Sequence, residues 1–431
     1  MSDLPVIVIG AGPQGLAAAA HLLERGFQPI VLERGPSAGA AVSEWGHVRL
    51  FSAWDELVDS ASRRLLQAAG HPIPTSGYPK GEAWVRDYLA PLARALGDRV
   101  RFGIEVTSVT RLGRDKVVDA GREQQPFVVR FIDGDGREQR LLAQSVLDAS
   151  GTWSQPGPAG ADGTPALGEL AAADCIDYRI PADVSALEGT HVAVVGAGHS
   201  AVHAVLRLAE LAERHAGTRV TWLVRRPSIE RALGGGEADA LPQRASLGVR
   251  ARRAIERGSV ELVTGFRVDE IRRASEGIVI VAEDGRALEP VARLFALTGF
   301  RPDLSILSEV RLAIDPALDS VAGLAAEIDP NVHSCGTVAA TGAAELAQPE
   351  SGLFIIGAKS YGRAPTFLAL TGYEQVRSVV AELAGDHEAA ARNELVLPET
   401  GVCGGSGDFG GTSCCAPVDI AIERDEAAVV A

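Results

Sequence analysis

Three thiols sit close to the C-terminal end of this chain. Cys403, Cys414 and Cys415 lie in "GVCGGSGDFGGTSCCA", residues 401–416, where glycine and serine offer nothing that could pack a core. Thiolates are soft ligands and select soft metals. Three of them on one flexible segment suit capture of a thiophilic ion such as trivalent arsenic, As(III), which takes three sulfurs. The adjacent Cys414 and Cys415 could instead act as a redox pair, although neighbouring residues make a strained disulfide. A Gly/Ser leash from Pro398 to Cys414 has an r.m.s. span of roughly 20–24 Å, enough to swing thiols into a cleft or towards a partner subunit. Cys175 and Cys335 are isolated in sequence, so no disulfide framework is expected and a reducing cytoplasm is the expected compartment.

A second chemistry is written near the N-terminus. "PVIVIGAGPQGLAAAAHLLERGFQPIVLERG" reads as strand, glycine turn, helix and strand. Val6–Ile9 is an unbroken apolar run, as a strand covered on both faces requires. Gly10, Gly12 and Gly15 follow as G-x-G-x-x-G. The first allows a tight turn, the second close approach of backbone to a pyrophosphate, the third close packing of helix on strand. The helix that starts here aims its first amides, and the positive end of its dipole, at the phosphates. Gln14 belongs to this turn. The next strand, Ile30–Leu32, ends at Glu33 and Arg34, and the Glu33 carboxylate is placed to accept hydrogen bonds from an adenosine ribose.

The pattern recurs in "HVAVVGAGHSAVHAVLRLAELAERHAGTRVTWLVRRP". Here Gly196 and Gly198 are followed by His199, Ser200 and Ala201, and alanine is tolerated at the third position. The following strand, Val220–Val224, ends not in an acid but in Arg225 and Arg226. A planar guanidinium suits a 2′-phosphate, which a carboxylate would repel. One acid-tipped and one arginine-tipped cradle in a single chain suggest FAD at the first and NADPH at the second.

At this point the sequence resembles the two-dinucleotide-binding flavoproteins, the superfamily of flavin-containing monooxygenases and pyridine nucleotide–disulfide oxidoreductases. "SVLDASGTWSQP" (145–156) looks like the crossover that closes the FAD domain, at Ser150 and Gly151. "LFALTGFRPDL" (294–304), with Gly299, resembles the return from the NADPH domain. "GLFIIGAKSYGRAPTFLALTGYEQVRSVV" (352–380) resembles the final flavin motif, with Gly357 close to the cofactor. The resemblance implies a helix N-terminus near Thr371 facing the flavin, and "TGYE" (371–374) reads as a capping box ahead of that helix. The superfamily usually has an aspartate just after this glycine, on the ribityl hydroxyls. This chain has Ala358 and Lys359 instead, and Lys359 either approaches the cofactor or is solvated.

The expected fold class is therefore α/β, with two Rossmann-like dinucleotide-binding domains, the NADPH domain inserted in the FAD domain, and a flexible cysteine-bearing C-terminal tail. The expected boundaries are 1–150 for the first part of the FAD domain with a helical insertion at 44–100. A linker at 151–185, the NADPH domain at 186–300, the second part of the FAD domain at 301–390 and the tail at 391–431 follow. By position, "WGHVRLFSAW" in the insertion, with Trp45, Arg49 and Ser52, is expected along the flavin and substrate cavity.

Composition narrows the function. A hydrophobic fraction of 46% and a charged fraction of 23% are those of a globular protein. A net charge of −15 argues against nucleic acid and anionic membranes as partners. No run is long and apolar enough to be a transmembrane segment, and the N-terminal apolar run breaks into glycines too early for a signal peptide. The expected partners are a small-molecule substrate and O2, and the reading leaves room for a homodimer.

NADPH beside FAD means hydride transfer, and the open question is where the electrons leave. An oxygenase would pass them to O2 and oxidise a soft nucleophile at N, S or As. "YRIP" (178–181) favours this branch. The monooxygenase fingerprint F-x-G-x-x-x-H-x-x-x-Y, however, keeps only Tyr178; Asp174, Leu170 and Gly168 stand at its other positions. A disulfide reductase would carry C-x-x-C or C-x4-C beside the flavin, and neither exists, although the tail is similar to the paired terminal cysteines of some such enzymes. The tail and the final flavin motif together also look similar to flavoprotein monooxygenases of bacterial arsenic-resistance islands. A third reading is a non-enzymatic flavoprotein that sequesters a metalloid through Cys403, Cys414 and Cys415.

Overall fold

Val6, Ile7 and Val8 have no exposed surface, and Ile9 has 5%. A strand apolar on every side chain must be central in a sheet covered on both faces, and that is its place. The computed structural model describes residues 4–233, 242–330, 341–364 and 367–395. Cys335, Cys403, Cys414 and Cys415 lie outside the described residues.

The chain begins with β1 (Val6–Ile9), α1 (Pro13–Glu24) and β2 (Pro29–Glu33), as the first glycine motif requires. The insertion holds α2 (Ala40–Glu44), α3 (Ser60–Ala68), α4 (Gly81–Trp84) and α5 (Ala90–Leu96). A wide helical turn at Val85–Leu89 joins α4 to α5. Pro91 has no N–H to give the Asp87 carbonyl, which accepts from His71 Nε2 at 3.2 Å instead. Then come β3 (Val100–Phe102), the antiparallel strands β4 (Glu105–Arg111), β5 (Phe127–Ile132) and β6 (Glu138–Ala143), and β7 (Ser145–Asp148).

The second half opens with β8 (Ile176–Asp177), β9 (His191–Val195), α6 (His199–Arg214), β10 (Arg219–Val224), α7 (Pro242–Glu256) and β11 (Glu261–Thr264). The antiparallel pair β12 (Val268–Ala274) and β13 (Gly277–Ala282) precedes β14 (Arg293–Ala296). The chain then returns through α8 (Ala322–Ile328), α9 (Ala343–Leu346), β15 (Leu353–Ile355), α10 (Ala369–Leu383) and α11 (His387–Ala391).

Two five-stranded parallel sheets result, in the orders β15-β7-β1-β2-β3 and β11-β10-β9-β14-β8. Each has the strand before its glycine turn at the centre, and they differ at one edge: β15 comes last in the chain, whereas β8 comes before β9. In both, the connection reverses direction beside that strand, and open α/β sheets bind ligands at such a switch point, beyond the carboxyl ends of the strands. The segment 151–185, expected as a linker, does more than link. Its Ile176 and Asp177 pair with Leu294 and Phe295 and form the edge of the second sheet.

The capping box expected at 371–374 does not form. Helix α10 starts earlier, at Ala369, with extended Leu368 as its N-cap and no side-chain cap. Thr371 is therefore inside the first turn and buried, and Glu374 is held by Arg377 at 2.6 Å. Alanine and leucine at 368–370 favour helix, so nucleation begins before the threonine is reached.

Candidate functional site

The two glycine turns share one geometry. Gly10 adopts φ +100° and Gly196 φ +128°, backbone that disfavours side chains. A Cβ on Gly10 would lie 2.8 Å from the Ala149 carbonyl, and one on Gly196 would lie 2.2 Å from the Leu297 carbonyl. Both turns are thus pressed against the neighbouring strand's exit. A Cβ on Gly15 would meet the Gly10 carbonyl at 1.9 Å, so this glycine serves packing. Gly12 and Gly198 differ from these: a Cβ on either would meet nothing within 4 Å. They cap α1 and α6 with no side chain bonded to the first amides. Each turn therefore leaves open space against helix amides, which fits a pyrophosphate at both places.

A cavity of about 1020 Å³ runs from the first turn to the start of α6. Gly10, Gly12, Gln14, Glu33, Arg34, Gly151, Gly357 and Lys359 line it on the first-domain side. Trp45, Arg49 and Ser52 come from the insertion, with His199 and Ser200 from the second glycine motif. The Glu33 carboxylate is fixed by two backbone amides, Ala11 N–H and Gly35 N–H, each at 2.7 Å. A carboxylate has lone pairs beyond those two bonds, so Glu33 remains able to accept from a ribose.

Lys359 is not solvated. Its side chain is 1% exposed and its Nζ donates to Asp148 Oδ2 at 2.6 Å. It also donates to Ser150 Oγ at 3.0 Å, and Ser150 Oγ donates to Asp148 Oδ1 at 2.6 Å. Asp148 ends β7, beside β1 and β15, so this ion pair sits under the carboxyl edge of the first sheet. Asp303, on the return from the second domain, also lines the cavity. Its hydrogen bonds from Ser305 hold its carboxyl below the usual range, with the Lys359 charge adding to the effect.

The far end of the cavity is built from aromatic rings and imidazoles. Phe51 packs edge-on to His199 at 4.8 Å and stacks on His203 at 5.9 Å. His203 Nε2 and His47 Nε2 are enclosed without a protein partner. Burial pushes the His203 imidazole down to about 4, assisted by His199, Arg250 and His47. Burial, then Arg207, lowers His47 as well. Both rings are therefore neutral at pH 7. At the rim, Trp153 Nε1 donates to Glu44 at 2.8 Å, stacks on Phe300 at 4.7 Å and lies under the Arg179 guanidinium.

Several expected site residues lie elsewhere. Gly15, Gly196, Gly198, Ala201, Arg225, Arg226, Gly299 and Thr371 do not line this cavity. Arg225 is exposed and Arg226 half-buried just past the end of β10. Gly299 accepts from the Gly157 amide at 2.8 Å, where the outgoing and returning chains cross. The altered fingerprint also lies outside the cavity: Asp174 pairs with Arg273, and Tyr178 donates to the buried Glu169 at 2.8 Å. Sequence reasoning missed Asp148, Trp153, His203 and Asp303. Only Asp148 carried a signal, as a charge inside the otherwise apolar end of "SVLDAS".

The duplicated parallel sheets and paired glycine turns are those of a chain built around two dinucleotide cradles. Residues 7–321 match the pyridine nucleotide-disulphide oxidoreductase family, and the chain belongs to it. The chain is 28% identical to the FAD-binding monooxygenase ausB of Aspergillus calidoustus, over 48% of this chain and 33% of that protein. It thus spans about a third of the length of that relative. It is also 28% identical to a ferredoxin–NADP reductase of a Nocardioides species, over 73% of this chain and 78% of the relative. The fold is similar to that of the bacillithiol disulfide reductase Bdr of Bacillus cereus. That comparison has a TM-score of 0.67 and 21% identity, covering 89% of this chain and 99% of the other. Among the described residues, no helix is long and apolar enough to cross a membrane.

Proposed function

We propose that this chain is an NADPH-dependent flavin monooxygenase: the two electrons of NADPH pass by way of FAD to O2, one oxygen atom is transferred to a soft nucleophile and the other leaves as water. The observation that carries this reading is the single cavity joining the Gly10–Gly12 turn to His199, Ser200 and His203. FAD, when bound, supplies the redox chemistry; the chain supplies placement and exclusion of water. In this reading the amides of α1 take the FAD pyrophosphate and Glu33 the ribose. The amides of α6 and the Arg225–Arg226 pair take NADPH. Trp45, Leu50, Phe51 and Phe367 wall the cavity with apolar surface, which keeps bulk water from the reacting centre.

The sequence supports oxygen over a thiol as the electron exit, because it has neither C-x-x-C nor C-x4-C. The proposed substrate is a soft nucleophile, and a trivalent arsenical is the candidate suggested by Cys403, Cys414 and Cys415. Replacing those three cysteines by serine should leave FAD bound and lower arsenical-dependent NADPH oxidation; unchanged turnover would remove the thiols from the reaction. A second reading, a reductase that hands electrons to a protein or thiol acceptor, is favoured by the ferredoxin–NADP reductase likeness over most of the chain. Stoichiometry separates the two. Oxygenation consumes one O2 for each NADPH in the presence of substrate, whereas a reductase oxidises NADPH under argon once an acceptor is supplied.

A further inference from the structure

A buried ion pair lies next to the place where a diphosphate must sit. Lys359 and Asp148 are 1% and 0% exposed and 2.6 Å apart. Ser150 joins them, with its hydroxyl on both and its own N–H on Asp148 Oδ1 at 3.0 Å. Ser150 also adjoins the first glycine turn: a Cβ on Gly10 would lie 3.1 Å from Ser150 Cα. Ser150 and Lys359 both line the cavity. A lone buried carboxylate at this point would repel an anionic cofactor, because interactions in a poorly solvated site are weakly screened. It would also be costly to bury.

We propose that Lys359 is a positioning residue for FAD that acts through Asp148. It cancels the Asp148 charge, so that the carboxyl edge of the first sheet meets the diphosphate as a neutral surface. The pair holds Ser150 and the 148–151 crossover against the Gly10 turn, and its charge balance sets the affinity for FAD. The inference rests on FAD occupying the first cradle and is independent of where the electrons go next.

The test is titration of the full-length apoprotein with FAD, read by flavin fluorescence quenching. Three variants are compared with the parent. Lys359→Met leaves a net negative charge and should weaken FAD about 30-fold, the size of one poorly screened charge acting at short range. Asp148→Asn leaves a net positive charge and should bind FAD more tightly than either the parent or the double variant. The double variant is neutral and should return to within about 3-fold of the parent. Equal weakening in the two single variants would mean that the pair only ties two segments together, and would overturn the proposal; so would parental affinity in Lys359→Met. Should Lys359→Met yield no folded apoprotein, Asp148→Asn and the double variant decide. Charge balance requires Asp148→Asn to bind FAD more tightly, whereas a purely structural role requires the double variant to do so.

Discussion

Gly12 and Gly15 stand three positions apart and do opposite things. A side chain on Gly12 would enter open space, and one on Gly15 would strike the Gly10 carbonyl. Gly12→Val should therefore yield a folded apoprotein of near-parental melting temperature that has lost at least ~100-fold in FAD affinity, since its methyl groups take the pyrophosphate's place. Gly15→Ala should instead lower stability by about 1–3 kcal/mol, the range for overpacking. Thermal melts and FAD titration of both variants separate the two roles. A buried histidine also makes stability depend on pH. His203 binds a proton near pH 4 when folded and near 6.5 when unfolded. The unfolded state thus holds more protons in that window, so the stability tied to neutral His203 is full above about pH 6.5 and is lost as pH falls towards 4. Asp59 adds to the loss at lower pH. Burial alone would raise its carboxyl, but His21 and the Ser62 amide outweigh this and leave it lowered. Melting temperatures from pH 7 to pH 4 should fall less steeply in His203→Phe than in the parent.

The elements are held by long-range polar contacts as well as by the sheets. Arg111 on β4 and Arg122 both bind Glu350, just before β15, at 2.7 and 2.8 Å, and all three side chains are at most 4% exposed. Removing the carboxylate leaves two buried guanidinium groups uncompensated. Glu350→Ala should cost about 3–5 kcal/mol in urea unfolding of the holoprotein. At the end of β10, Arg225→Ala with Arg226→Ala should raise the NADPH dissociation constant about 10- to 100-fold and leave NADH nearly unchanged, if this loop reads the 2′-phosphate. Equal effects on both nucleotides would assign the arginines a structural part. What the sequence makes legible divides in the same way between near and far. Strand, glycine turn and helix were readable twice, because their signals lie within a short window of residues. Lys359 was not readable as a buried cation, because its partner Asp148 is 211 positions away in the chain. The edge strand at Ile176–Asp177 was hidden for the same reason, since its pairing is with residues after 290. The capping box failed for a different reason: a local pattern was present, but the helix had already started.

Across the whole molecule, the strands of the second parallel sheet lie in sequence between β7 and β15 of the first, so the chain leaves the first sheet and returns to it. The crossings are fastened near the cavity rim by Gly157 on Gly299 and by Trp153 between Phe300 and Arg179. The start of α6 thereby comes to the same cavity as the first glycine turn, which is what passage of a hydride between two bound coenzymes requires. Trp153→Ala should slow reduction of the flavin by NADPH while leaving FAD affinity within about 3-fold, because it loosens the junction rather than the cradle. The central claim, that one cavity couples NADPH to FAD and then to O2, is tested most directly by following the visible flavin band of the full-length holoprotein. NADPH is added without oxygen and air is then admitted. The account predicts a yellow protein that bleaches on NADPH and regains its colour in air. A protein that stays colourless after FAD is supplied, or one whose flavin NADPH leaves unbleached, would contradict it.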